Sequence, residues 1–378
     1  MNATQLPALG ALALALFHAA RMHAWRTALA RLEKRPAQVD AGDVPITVVV
    51  PVRDGESTLV PLLQDLYAQS HREVMDVVVV DDHSTDGTAA LVERMALRWP
   101  GLRLVRLTEG AGKKAALMAG VRAARHQLLL FTDADVRCGP ERVRSVAAHW
   151  EVHRWHLLVA PVRTYGDGLL GLLQEEEQAA LFGAAVGTWS EGTPMLAYGA
   201  NLAVTREAFE AVGGHGGDRW ASGDDVFLLE RMRRAGRKVA LLADPAVIVA
   251  TPGVTSWRAF VSQRLRWAGK MRGVKALGGT LGALVSLLLP WLLVLATVHM
   301  ARHARFGQGL LFAVLMLCVA WCAWAFPTVG ASGDARTLLC GRRAPWRTTL
   351  ALVCFSLYAP VIALASLVVR PRWKGRRV

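Results

Sequence analysis

The side chains in this chain best suited to chemistry are carboxylates, and they gather where apolar runs stop. Leu128-Leu129-Leu130-Phe131 ends, one residue on, at Asp133-Ala134-Asp135, two acids one residue apart. Ile46-Thr47-Val48-Val49-Val50 leads into Pro51-Val52-Arg53-Asp54-Gly55-Glu56, and Val77-Val78-Val79-Val80 into Asp81-Asp82-His83-Ser84-Thr85-Asp86. Short apolar runs bounded by polar residues read as strands covered on both faces, and open α/β sheets place their ligands at the carboxyl ends of such strands. Neighbouring carboxylates repel each other unless a cation sits between them. Oxygen ligands suit a hard divalent ion, and Mg²⁺ or Mn²⁺ normally shares such a site with substrate phosphates. Asp133 and Asp135 are thus expected to hold a divalent metal; the competing reading is a solvated turn, the usual state of an isolated Asp-x-Asp.

The elements that must position these acids follow from the pattern around them. The three runs above, with Leu102-Arg103-Leu104-Val105, alternate with helical stretches from Ser57 to Gln69, Thr88 to Arg98 and Lys113 to Arg125. Strand and helix in alternation predict a Rossmann-like, mostly parallel sheet with right-handed crossovers, which would bring three acid-bearing strand ends to one crevice. Asp82 is then placed to accept from a ring N–H or a sugar hydroxyl, with helix capping as the alternative. Lys113, opening a helix, is able to approach a pyrophosphate together with the helix N-terminal amides, or is simply a solvated charge. Gly110-Ala111-Gly112-Lys113-Lys114 lacks the leading spacing and the hydroxyl residue of a Walker sequence, which speaks against a P-loop ATPase.

Of the 378 residues 53% are apolar, and the net charge is +14. Much of that charge flanks apolar segments, the distribution of an anionic membrane surface rather than of nucleic acid. No aromatic-interleaved basic patch suited to base stacking lies outside those flanks, so no nucleic-acid partner is expected. The five cysteines give neither a disulfide framework nor a zinc spacing. An apolar run from Leu6 to Ala20 precedes Arg21, Arg26, Arg31, Lys34 and Arg35. The positive-inside rule makes residues 1–25 a membrane anchor and puts the following domain, 45–254, in the cytoplasm.

Residues 255–275 carry Trp257, Phe260, Leu265 and Trp267 among six basic residues and no acid. As a helix this stretch is amphipathic and basic, the pattern of an element lying in the headgroup layer. Arg266 suits a bidentate contact with a diphosphate, and Trp267 offers an apolar face to an acceptor. Three further apolar segments, Ala276 to Met300, Gln308 to Ala331 and Thr348 to Val369, fill residues 276–369 and are each long enough to span a bilayer. If all three span, the basic tail 370–378 lands outside, against the charge rule. A last segment that is re-entrant or interfacial, with a break at Pro360, would leave the tail in the cytoplasm, the expected arrangement.

These pieces together resemble a known family. VVVPVRDGESTL, VVVVDDHSTDGTAAL, GKKAAL and FTDAD are similar to the nucleotide-sugar half of the family 2 inverting glycosyltransferases of GT-A fold. Tyr198-Gly199-Ala200-Asn201 resembles the family's acceptor-side segment, Gly223-Asp224-Asp225 its general-base motif, and Gln263-Arg264-Leu265-Arg266-Trp267 its QxxRW motif. The sequence departs from the pattern at Arg53, Asp54, Met118 and Asp224. The resemblance implies that Pro51, Val52, Asp54, Asp82, Lys113, Asp133 and Arg266 bind the donor, that Asp133 and Asp135 hold the metal on its diphosphate, and that Gly199, Asn201, Gln263 and Trp267 face the acceptor. Asp225, with Asp224 beside it, is the implied base; by local sequence alone these acids read as caps of the helix that comes after them. The implied activity is transfer of a sugar from a UDP-sugar donor to a lipid acceptor at a bacterial-type inner membrane. A processive polysaccharide synthase and a non-catalytic nucleotide-sugar-binding subunit remain as alternatives.

Overall fold

A computed structural model of the chain describes residues 5–32, 42–216, 223–271, 277–303, 308–369, 372–373 and 376–377. After the first helix α1 (Gln5–Arg31) come β1 (Ile46–Val52), α2 (Glu56–Tyr67), β2 (Met75–Asp81), α3 (Thr88–Ala96), β3 (Leu102–Arg106), α4 (Lys113–Ala123) and β4 (Leu128–Phe131). The strands β1, β2 and β4 consist almost wholly of buried apolar residues, as strands of a doubly covered parallel sheet must. Helix α2 closes one face by burying Leu59, Leu62, Leu63 and Leu66, spaced to fall on one side of a helix and each contributing roughly 1.5–3 kcal/mol. On the other face Gly120 of α4 lies so close to Val49 that a Cβ would sit 2.3 Å from its side chain.

The chain continues through β5 (Arg137–Cys138), α5 (Arg142–His153), β6 (Leu157–Val159), β7 (Val162–Tyr165) and α6 (Gly168–Ser190). Next are β8 (Leu202–Thr205), α7 (Arg206–Ala211), α8 (Asp224–Arg234), β9 (Val239–Leu241) and β10 (Val249–Pro252). Seven strands form one sheet in the order β3-β2-β1-β4-β8-β6-β9, and β5-β10-β7 form a second, smaller one. The half from β3 to β4 is parallel throughout, whereas β8 runs antiparallel to β4 and to β6. This is a mixed α/β sheet domain of the GT-A kind, and the switch from parallel to antiparallel lies beside β4, whose end carries the acid pair.

Among the described residues four helices follow, α9 (Trp257–Met271), α10 (Leu277–His303), α11 (Gln308–Cys340) and α12 (Pro345–Ala365), and then two paired strands of two residues each at Arg372–Trp373 and Arg376–Arg377. Among the described residues four helices are long and apolar enough to cross a membrane, over Gln5–Arg31, Gly282–His303, Gly309–Cys340 and Pro345–Ala365. Contacts of His18 with Thr328 at 2.9 Å and of Arg26 with Asp334 at 2.7 Å set α1 and α11 side by side in the same direction.

Two features correct the expectation for the last segment. Helix α12 runs through Pro360 without a break, as packed membrane helices can, because neighbouring groups re-satisfy the backbone carbonyl that a proline frees. In addition, Trp291 Nε1 of α10 donates to Ser356 O of α12 at 2.8 Å, which aligns the middles of the two helices. If α10 spans, α12 spans with it and carries the chain away from the α/β domain. The side chains of the basic tail 370–378 lie outside the described residues.

Helix α6 is the joint between the sheet domain and the long apolar helices. Its Glu175, Glu176 and Glu177 are met by Arg336 of α11, Arg347 and Thr348 of α12 and Arg264 of α9. Arg336 is fully buried, with Nε 2.6 Å from Glu176 and Nη2 3.2 Å from Glu175. Charges buried this deeply are tolerable only when paired and hydrogen-bonded.

Candidate active site

The crevice is built from the ends of four elements. Asp133 comes just after β4, Lys113 opens α4, and Asp224 and Asp225 open α8; Lys270 comes from the end of α9. The Lys113 ammonium lies 2.7 Å from Asp133 Oδ1 and 3.4 Å from Asp224 Oδ2, so it bridges two acids that would otherwise repel. Burial opposes charge on Lys113, but Asp133 and Asp224 outweigh it and raise its pKa. Burial likewise works to raise the Asp224 pKa, and Lys113, His215, Lys270 and Lys114 overcome it and hold the carboxyl below its usual range. Both groups are therefore charged at neutral pH.

Asp225 is buried and lies on the second position of α8, and the helix cap is Gly223, at φ 94°, with no side-chain capping bond. Its carboxylate accepts from Gly199 N at 3.3 Å and from Lys270 Nζ at 3.2 Å. Ser222, which by its position just before this helix is also within capping range, lies outside the described residues. Gly199 is in close contact with the cluster: a Cβ there would lie 3.0 Å from both Asp224 Oδ2 and Lys113 Nζ. Tyr198, next in line, buries its hydroxyl without a hydrogen-bond partner among the described residues, and burial together with the Asp225 charge raises its pKa.

The residues expected to bind a donor are tied mainly to neighbouring loops. Asp82, buried, accepts from Gly112 N with both oxygens, at 3.0 and 2.9 Å, and so fixes the turn that presents Lys113. Asp54, at φ 49°, accepts from Thr85 N at 2.8 Å, while Ser84 Oγ accepts from its amide at 2.9 Å. These bonds lace the loop after β1 to the loop after β2; the left-handed backbone there suits an Asp better than most residues. The Thr85 amide bond lowers the Asp54 pKa. Pro51 and Val52 close β1, and Val52 O accepts from Asp82 N at 2.8 Å. Asp135 is exposed past the end of β4.

On α9, Arg264 and not Arg266 is the buried arginine. Its guanidinium donates to Glu177, through Nε at 2.9 Å, and lies 4.0 Å from the Phe260 ring centroid and 4.6 Å from that of Trp267. Gln263 Oε1 accepts from the same guanidinium. Arg266, one turn before Lys270, is half-buried and has no hydrogen-bond or ion-pair partner among the described residues. Burial, and then the charge of Arg264, lower its pKa; an anion is what its surroundings lack.

Asn201 requires a correction. It is fully buried, with Nδ2 donating to Pro161 O at 2.8 Å and Val247 O at 2.7 Å and Oδ1 accepting from Arg142 at 3.0 Å. Its amide is spent on holding β8 to the segments after β6 and before β10, so it has no polar atom to offer an acceptor. Lys270 and Tyr198 were not singled out by sequence reasoning. The four-residue step from Arg266 to Lys270, which puts both on one side of a helix, was the available signal for Lys270; Tyr198 was marked only by its place at the head of the Tyr198–Asn201 segment.

The residues present fit a divalent metal in one respect that the structure itself displays: Asp133 is a part-exposed carboxylate already in contact with a cation, the Lys113 ammonium. Among the described residues no cluster of three or more His, Cys, Asp or Glu side chains is arranged for an ion. Asp133 and Asp135 would be the protein's share of the ligands, and a substrate diphosphate would complete the set.

Residues 47–213 match the family described as glycosyl transferase family 2. A beta-monoglucosyldiacylglycerol synthase from Synechocystis sp. is 27% identical over 281 residues, which are 67% of this chain and 54% of the relative. A dodecaprenyl-phosphate galacturonate synthase from Rhizobium johnstonii is 31% identical over 127 residues, 33% of this chain and 38% of the relative. The chain thus spans about half or less of the length of these relatives. A mannosyltransferase from Pyrobaculum calidifontis, solved with GDP-Man and Mn²⁺, superposes with a TM-score of 0.57 at 22% identity, covering 94% of this chain and 99% of that one. That likeness establishes the fold.

Proposed function

We propose that the chain is a membrane-associated inverting glycosyltransferase that moves a sugar from a UDP-sugar to a hydroxyl of a lipid acceptor. The observation that carries this reading is the meeting of Lys113, Asp133, Asp224 and Asp225 with Lys270 of α9, an element that leads directly into the membrane helices. Relatives named for transfer to diacylglycerol-type and polyprenyl-phosphate acceptors support the lipid assignment.

In the proposed mechanism Asp225 is the general base. The acceptor oxygen attacks the anomeric carbon, its proton passes to an Asp225 carboxylate oxygen, and the bond from the anomeric carbon to the diphosphate breaks to release UDP. Gly199 N–H and Lys270 hold the Asp225 carboxylate in place. Lys113, aided by the amides that open α4, and Arg266 supply fixed positive charge to the diphosphate. Asp133 and Asp135 are the residues to hold a divalent ion, which when bound neutralises charge on the leaving diphosphate. Gln263 and Trp267 lie on α9 toward the acceptor side, next to Arg264, which fastens that helix.

The test is Asp225→Asn in membranes: UDP binding persists and transfer falls at least about 100-fold, the low end for loss of a general base. Normal transfer by this variant removes Asp225 from the mechanism. A donor panel that includes GDP-mannose, read as nucleotide release with and without native lipid extract, identifies the donor, and radiolabelled product length separates single transfer from polymerisation.

A further inference from the structure

Away from the acid cluster, a cavity of about 840 Å³ opens where the last turns of α1 and α11 meet β7 and the turn at Pro245–Val247. Its charged lining is Arg26, Arg163, Arg343 and Asp334, Thr337 adds a hydroxyl residue, and Leu29, Ile248 and Leu339 contribute apolar wall. Arg26 Nε reaches Asp334 Oδ2 at 2.7 Å, and Arg343 takes the other oxygen of the same carboxylate. Arg163 is exposed and has no ion-pair or hydrogen-bond partner among the described residues. Three guanidinium groups thus face one carboxylate, and the cavity keeps an excess of two positive charges.

Its depth is set by the two helices. The apolar run of α1 ends at Ala20, six residues before Arg26, and that of α11 at Ala331, three before Asp334. At about 1.5 Å per residue these groups stand roughly 5–9 Å beyond the hydrocarbon, within the headgroup layer. Guanidinium forks match phosphate oxygens bidentately, and basic pockets between membrane helices at this level suit anionic lipid headgroups.

We propose that this cavity binds the phosphate of an anionic phospholipid, with the glycerol and first methylenes against Leu29, Ile248 and Leu339. The bound lipid bridges α1, α11 and the sheet domain at a seam where protein contacts alone leave space. This holds for the chain as a membrane protein whatever sugar it transfers.

The experiment uses the full chain in nanodiscs of phosphatidylcholine with increasing phosphatidylglycerol, then native mass spectrometry of retained lipid and Tm. Variants are Arg163→Gln and Arg163→Gln with Arg343→Gln; Arg98→Gln, an exposed arginine just past the end of α3, is the control. Wild type and control are expected to retain phosphatidylglycerol selectively and to gain Tm from it. Arg163→Gln keeps the wild-type Tm in pure phosphatidylcholine and needs about tenfold more phosphatidylglycerol, the effect of one charged hydrogen bond. Three outcomes overturn the proposal: equal retention by variant and wild type, a lower Tm of Arg163→Gln in phosphatidylcholine alone, or millimolar inorganic phosphate reproducing the stabilisation in lipid-free detergent, which marks a soluble-anion site.

Discussion

Arg264 and Arg266 stand two residues apart, and the proposed mechanism gives them opposite work. The Arg264 side chain is 6% exposed and that of its partner Glu177 7%, with aromatic rings of Phe260 and Trp267 close to the guanidinium. Arg264→Met keeps much of the stem volume but leaves Glu177 charged inside the protein. Breaking a buried pair from one side costs about 3–5 kcal/mol, and the loss of the ring contacts falls within that range. At roughly 2–4 °C per kcal/mol, Tm should drop by on the order of 10 °C. Adding Glu177→Gln removes the stranded charge and should recover at least about half of the loss. Arg266→Met reverses the pattern. Its charge is opposed by burial and by Arg264, so Tm should hold or rise slightly, while UDP affinity falls about tenfold or more, the value of a charged hydrogen bond. Thermal unfolding followed by tryptophan fluorescence, with calorimetric UDP titration of each variant, measures both. Full stability in Arg264→Met, or collapse of stability in Arg266→Met, would refute the division of roles.

Three further outcomes are expected. Asp224 is held below the ordinary carboxylate range, so its stabilisation is complete above the unfolded value of about 3.9 and is lost as pH falls through the folded pKa; the Tm gap between wild type and Asp224→Asn should be flat from about pH 6 to 9 and shrink toward pH 3, and a gap that widens in acid contradicts the sign. Asn201→Ala leaves Val247 O without a donor, takes one of two donors from Pro161 O and removes the Oδ1 acceptor of the buried Arg142, which should cost about 2–4 kcal/mol in stability while leaving the UDP affinity of the folded fraction unchanged; a selective loss of acceptor use would restore Asn201 to the site. Gly199→Ala drives a methyl against Asp224 and Lys113 and should lower transfer about tenfold or more through misplacement of the cluster without unfolding the protein, as turnover and Tm measured on one preparation will show.

The half of the fold from β1 to β4 was legible because burial and periodicity coincide there. The runs at Val48, Val78 and Leu130 are apolar on both faces, and Lys113 and Thr88 do open helices. Beyond β4 the chain was harder to read. The strands β5, β6 and β9 are two or three residues long, too short for a period, and are defined by pairing with distant segments. The acids of α6, three glutamates in a row, carry no local sign of burial. Glu176 and Glu177 are buried and Glu175 is half-buried because Arg264, Arg336 and Arg347, 87 to 172 residues further along, come back to meet them. Asp133, Asp224 and Asp225 do converge, yet only coordinates show that the Lys113 ammonium already bridges two of them. Asp82 illustrates the limit of type-and-spacing arguments: binding and turn-holding demand the same side chain, and its oxygens are seen on Gly112.

The joint at α6 also bears on how this chain can be taken apart. A cut after residue 275 looks natural in sequence, between a sheet domain and a block of apolar helices. It would remove Arg336, Arg347 and Thr348, leave Glu175 and Glu176 unanswered on α6 and strip cover from Ala179 and Phe182, which pack against Ala335 and Leu339. The excised piece would be a protein with acids and bare hydrocarbon on one helix. A water-soluble version therefore has to be made by rewriting α6 rather than by trimming the chain.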